Sequence, residues 1–229
     1  MATEKDNTKV PSKKTSKSII TNKDNDLSTL AINVASVWEN NNQITLLWKS
    51  AAQFKLDAEN YEGMLGSKKN KTKNRPQISN DLKKCNKAID LGISKIKKYI
   101  DADAQDKNEA KASYAKFGIV HIQSNYILPF DKDSRAQALK LILGAIKEFG
   151  YENKTYGTAY FTPLIAEFNS LVETASNTDK SISTITGNKN ELKKNLLLVL
   201  NSLVKVIQAN YPETYKTELR AWGFQKEKY

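Results

Sequence analysis

The side chains that most often carry chemistry are scarce in this sequence: its 229 residues include one histidine, His121, and one cysteine, Cys85. An intramolecular disulfide and a Cys/His zinc site are excluded, as is any Cys–His or Ser–His–Asp relay that does not run through His121. His121 lies in an apolar run, Ile119-Val120-His121-Ile122, where a hydrogen-bonded structural imidazole is expected rather than a catalyst. Cys85 shares an apolar helical stripe with Leu82 and Ile89 and reads as a small buried hydrophobe without special reactivity. The densest carboxylates are Asp101, Asp103, Asp106 and Glu109. A calcium loop starting at Asp101 would need glycine at its sixth position and glutamate at its twelfth, where Asp106 and Ala112 stand. These acids read as helix-start charges. No Glu-x-x-His pair supports di-iron chemistry, and no glycine-rich phosphate loop is present. No catalytic residue, metal or cofactor is expected, and an enzyme built on carboxylates is the remote alternative.

Cations are plentiful: 36 basic residues against 25 acidic ones leave a net charge of +11, yet only Arg75, Arg135 and Arg220 are arginines. The densest cluster is Lys68, Lys69, Lys71, Lys73 and Arg75, continued by Lys83, Lys84 and Lys87. Such a cluster could neutralise several phosphates and bind a polyanion with strong salt dependence. It has one arginine and no aromatic side chain on which a base could stack, so any such binding would be non-specific. The bland alternative is a solvated lysine-rich loop in a chain whose Lys, Asn, Ile and Tyr excess is compositional.

The elements that must position these groups follow from apolar periodicity. Residues 1–24 are polar and Lys-rich and read as a flexible basic arm. Leu27, Leu30, Ala31, Val34, Val37 and Trp38 make the stripe of a first helix, and Ile44, Leu47, Ala51, Phe54, Ala58, Tyr61 and Leu65 that of a second, with Gly66 as its cap. After the basic loop, Leu82, Cys85, Ile89, Ile93, Ile96 and Ile100 mark a third helix, and a shorter fourth near Asp106–Phe117 stops at Gly118.

Much of this pattern recurs. A shift of 110 positions lays Ala51, Phe54, Ala58 and Tyr61 on Phe161, Leu164, Phe168 and Leu171, and Asn80-Asp81-Leu82-Lys83-Lys84 on Asn190-Glu191-Leu192-Lys193-Lys194. A shift of 111 matches Leu30, Ala31 and Trp38 with Leu141, Ile142 and Phe149, and one of 105 matches Phe117-Gly118-Ile119 with Trp222-Gly223-Phe224. Gly118 and Gly223 are expected to be left-handed helix caps, with Ile119 and Phe224 packing back on Tyr114 and Leu219. Thr162-Pro163 reads as the start, or a kink, of a helix in the second copy. The expected fold is all-α: two tandem divergent copies of an antiparallel bundle of about four helices, at 25–118 and 131–229. A connector at 119–130 would pack against both.

Two aromatic residues are candidate partner contacts. Trp48 sits at the margin of its stripe, with a place at the edge of the core as the favoured reading, and Tyr229 ends the chain. The start, Met1 to Lys17, has no apolar h-region, so the expectation is a cytoplasmic chain without membrane association. The function expected is a non-enzymatic module for a protein partner or self-association, with nucleic-acid or polyanion binding through the lysine cluster as the alternative.

Overall fold

The structure, a computed structural model, describes residues 19–224. It is predominantly helical: α1 (Asp24–Glu39), α2 (Ala51–Asp103), α3 (Lys107–Tyr114), α4 (Lys132–Glu148), α5 (Thr158–Asn210) and α6 (Tyr215–Ala221). A 3-10 turn at Ala115–Phe117 and two short strands, β1 (Val120–Ile122) and β2 (Asn125–Ile127), lie between α3 and α4. The second and third helices expected from periodicity are one helix of 53 residues, and the basic loop between them is its middle. Lys, Arg and Gln are good helix formers, and buried turns on both sides nucleate the helix and offset the cost of Pro76 in its middle. Periodicity reports burial rather than helicity, which is why an exposed helical stretch reads as a loop. α5 has the same 53 residues and runs through Pro163, so Thr162 does not start it.

The chain divides into two compact units. One is built from the chain up to Ser67 and from Thr186 onward, the other from Lys68–Ile185. This differs from the expected division at 25–118 and 131–229, because each long helix contributes one end to each unit. In the first unit, Leu27, Val34 and Trp38 of α1 are buried with Phe54 and Tyr61 of α2, Leu200 and Leu203 of α5, and Leu219 near the end of α6. In the second, Ile89, Ile93 and Ile96 of α2 are buried with Phe117, Leu139 and Ile142, and Phe161 and Phe168 of α5. Here α2 and α5 run antiparallel: Arg75 meets Asp179, the Cys85 thiol lies 3.5 Å from the Leu164 carbonyl, and a β-carbon on Gly92 would meet the Phe161 ring at 2.6 Å. Gly92 is thus the bare spot that lets α5 approach.

The helix ends are chemically closed. Asp131 caps α4 by accepting from the Ser134 amide at 2.8 Å, and Asp106 caps α3 by accepting from Asn108 and Glu109. Gly118 has φ 70° and Gly223 φ 86°, and the next amides, Ile119 and Phe224, donate to the Tyr114 and Leu219 carbonyls at 3.2 and 2.9 Å. Gly150, at φ 69°, closes α4 the same way, with Tyr151 donating to Ile146.

Other expectations are corrected in detail. Residues 1–18 of the expected arm lie outside the described residues. The rest of it, 19–24, belongs to the first unit, since Ile20 is buried in its core and Asp24 opens α1. The connector belongs to the second unit and folds as an antiparallel hairpin, Val120 opposite Ile127 and His121 opposite Tyr126. Its two-residue turn, Gln123-Ser124, has positive φ at both positions. His121 is exposed, its ring 4.7 Å from that of Tyr126.

Candidate functional site

The α-helical state of Lys68–Lys87 sorts the eight cationic candidates. Lys69, Lys73, Lys83, Lys84 and Lys87 fall within roughly a 100° arc of α2, opposite the stripe of Leu82, Cys85, Ile89 and Ile96 that faces the core. All five are exposed. From Lys69 to Lys87 this ridge is about 27 Å long at the helical rise, and no acidic residue interrupts the arc. Lys68, Lys71 and Arg75 point elsewhere. Arg75 turns toward α5 and forms a bidentate pair with Asp179, its Nε 2.8 Å from Oδ1 and its terminal nitrogen 3.1 Å from Oδ2.

Beside that pair lies an open groove of about 500 Å³ in the second unit. Its apolar lining comes from Ile78, Leu82 and Ala175, with Phe130, 76% exposed, as one wall. Lys83 and Lys132 add cations to the lining, and Asn86 contributes a buried Oδ1 without a hydrogen-bond partner among the described residues. Of these groups the cationic candidates included only Arg75 and Lys83.

The first unit carries a different feature. The stripe from Ile44 predicts that the second helix begins there, but residues 44–50 belong instead to a turn with a bridge between Leu46 and Lys49. The Trp38 indole N–H donates to the Ile44 carbonyl at 2.7 Å, which holds the turn from one side. On the other, Ser50 and Gln53 exchange side-chain-to-amide bonds of 3.1 and 3.2 Å, a capping box that starts α2. Lys49 pairs with Asp57 at 2.6 Å. Leu47 and Trp48 are left protruding, Leu47 fully and Trp48 53% exposed, so the core-edge reading of Trp48 does not hold. Trp38 and Trp222 are buried. Tyr229 lies outside the described residues.

The carboxylates are engaged structurally. Of the expected helix-start acids only Asp106 and Glu109 sit at a helix start. Asp101 and Asp103, in the last turn of α2, accept from the hydroxyls of Tyr114 and Tyr151 at 2.5 and 2.8 Å. Burial, with Asp101 beside it, pushes the Tyr114 phenol up to about 12, the wrong direction for a base at neutral pH. A network unseen in the sequence centres on Asp24. Its carboxylate accepts from Lys189 at 2.6 Å, Lys193 at 2.7 Å and Tyr61 at 2.9 Å. The Lys189 and Lys193 bonds hold it well below the ordinary carboxylate range. Lys189 is buried, so Asp24 is the countercharge that keeps a cation inside the unit. Cys85 is buried and its thiol is pushed up to about 11, chiefly by desolvation. Among the described residues no group of three or more His, Cys, Asp or Glu side chains is arranged to hold a metal ion, and no helix is long and apolar enough to cross a membrane.

No protein-family model matches the chain, and neither a curated protein nor a solved structure does.

Proposed function

We propose that the chain is a non-catalytic binding module for a protein partner, built from two divergent copies of one helical unit. The observation that carries the partner reading is the Leu47–Trp48 turn. Two adjacent large apolar side chains are held out in water by a hydrogen-bonded indole on one side and a capping box on the other. A held aromatic anchor loses little entropy when it enters a partner's pocket, which is how a few residues come to dominate an interface. The proposed setting is the cytoplasm, supported by the lone, unpaired cysteine.

The duplication is supported by element lengths: 16, 53 and 8 residues in α1, α2 and α3 against 17, 53 and 7 in α4, α5 and α6. A shift of 107 carries Ala51 to Thr158 and Asp103 to Asn210. It also carries buried Phe54, Tyr61, Ile89, Ile93, Ile96 and Ile100 onto buried Phe161, Phe168, Leu196, Leu200, Leu203 and Ile207. On this register the shift of 110 differs by three residues, close to one helical turn, which is why it also lays apolar positions on apolar positions.

The test is affinity capture from an extract of the source cell with the wild-type protein and a Leu47→Ser/Trp48→Ser variant of equal helicity. A protein retained by the wild type and lost by the variant is expected. That protein should also shield Trp48, the exposed one of the three tryptophans, from acrylamide quenching. Equal recovery of every captured protein by both forms would refute the reading.

The lysine ridge of α2 favours a second reading, non-specific polyanion binding. Labelled DNA and RNA titrated over a range of salt, with a Lys69/Lys73/Lys84/Lys87→Ala variant alongside, tests it. Loss of four phosphate contacts should lower the slope of log K against log salt by about 3.6 for duplex DNA.

A further inference from the structure

We infer that the groove of the second unit is a docking site for an acidic amphipathic peptide segment of a partner protein. The inference goes beyond the reading above and uses neither Leu47 nor Trp48. The lining states the chemistry. Ile78, Leu82, Ala175 and the exposed Phe130 ring form an apolar trough between α2, α5 and the start of α4. Phe130 stands outside the core, at the residue before the α4 cap, where nothing in its own unit buries it. Polar chain alone would leave that ring in water, so the occupant must bring apolar side chains.

The charges state the rest. Three cations, Arg75, Lys83 and Lys132, line the groove against one carboxylate, Asp179, and that carboxylate is taken by Arg75. Neither Lys83 nor Lys132 makes an ion pair among the described residues. With Asp179 engaged by Arg75 and two lysines beside an apolar trough, charge complementarity selects an occupant that carries its own acids. A nucleic-acid backbone would meet the cations and leave the trough uncovered. A helix with leucines at i, i+3 and i+7 and glutamates flanking them meets both.

The probe is a fluorescein-labelled helical peptide of that pattern, titrated into the full-length protein and followed by anisotropy. Its controls are a scrambled peptide of equal charge and a matched peptide with lysine in place of each glutamate. Phe130→Ser should weaken binding at least tenfold. Lys83→Glu/Lys132→Glu should do the same and reverse the preference, so that the lysine peptide binds that variant better. All three substituted side chains are exposed, so circular dichroism should be unchanged. The Leu47→Ser/Trp48→Ser protein should bind the acidic peptide normally, which separates failure here from failure of the partner reading. Equal binding of the scrambled peptide, or an unreversed preference in the double variant, overturns the inference. So does displacement by single-stranded DNA that is itself lost with Phe130→Ser, which would make the groove a nucleic-acid site. Self-association in sedimentation that disappears with Phe130→Ser also overturns it, by placing a second copy of this chain in the groove.

Discussion

Alanine at Gly118 should cost more than alanine at either other left-handed glycine among the described residues. Gly118, Gly150 and Gly223 have φ of 70°, 69° and 86°, so each substitution places an L side chain in the left-handed region, at about 1–2 kcal/mol. At Gly150 a new β-carbon meets nothing within 4 Å, and at Gly223 only the Asn33 β-carbon at 3.6 Å. At Gly118 it would sit 2.7 Å from both Cα and Cβ of Ala138 and 2.8 Å from its carbonyl oxygen. Backbone cannot rotate aside, so α4 would have to retreat by about 1 Å to reach ordinary carbon contact distance. That helix carries Leu139 and Ile142 into the core, and displacing a packed helix in this way costs about 1–3 kcal/mol more. The expected losses are about 1–2 kcal/mol for Gly150→Ala and Gly223→Ala and about 2–5 kcal/mol for Gly118→Ala. Urea unfolding followed at 222 nm measures them. Two local probes assign them: Trp38 and Trp222 are buried in the first unit and Cys85 in the second. The Gly118 loss should appear in accelerated Cys85 labelling. A Gly118→Ala cost no larger than that of Gly223→Ala would refute the close approach of the cap to α4.

Three further outcomes are expected. Asp24→Asn leaves the buried Lys189 ammonium without its countercharge and should cost about 2 kcal/mol at neutral pH, a figure reduced because Asp24 is about one-third exposed. The folded-state pKa of Asp24 is depressed, so its contribution is present above the ordinary carboxylate pKa and is lost as pH falls through the folded value. Wild type and variant should therefore converge in stability only in strong acid, and a difference independent of pH would sink the assignment. Gln123→Asn with Ser124→Gly supplies the residues that a turn with two positive φ values favours and should raise the melting temperature, by about 1 kcal/mol in stability; an unchanged or lower value would contradict the turn geometry. Cys85, buried and with its thiol raised to about 11, should react with a disulfide reagent at pH 8 far more slowly than a free thiol and speed up with urea. Prompt labelling without denaturant would show that α2 is not packed there.

Much of the core was legible because burial is periodic. Leu27, Leu30, Val34 and Trp38, then Phe54, Ala58 and Tyr61, then Leu82, Cys85, Ile89, Ile93, Ile96 and Ile100 are all buried. Leu47 fails for a definite reason: it was counted on a helical stripe continuing from Ile44, but the helix starts at Ala51, and a stripe extrapolated through a turn has no meaning. At the candidate sites the lysine cluster was legible as composition, while its ridge was not. Whether Lys69, Lys73, Lys84 and Lys87 share a face depends on whether the chain between them is helix or loop, and an exposed segment without apolar residues carries no periodicity to say which.

What the sequence determined by itself is local: helical content, the apolar faces and the caps at Gly118 and Gly223, because each follows from residue types within a few turns of one another, whereas Gly66, expected as a cap, lies inside α2. Only the tertiary structure decided how the pieces were shared. It joined the expected second and third helices into one and drew each core from both halves of the chain. It brought Asp24 to Lys189 and Phe130 to Leu82. Those pairings depend on which apolar stripe covers which. Stripes with the same period fit one another almost equally well, so partner choice rests on the summed packing of the whole molecule, a quantity that no local window contains.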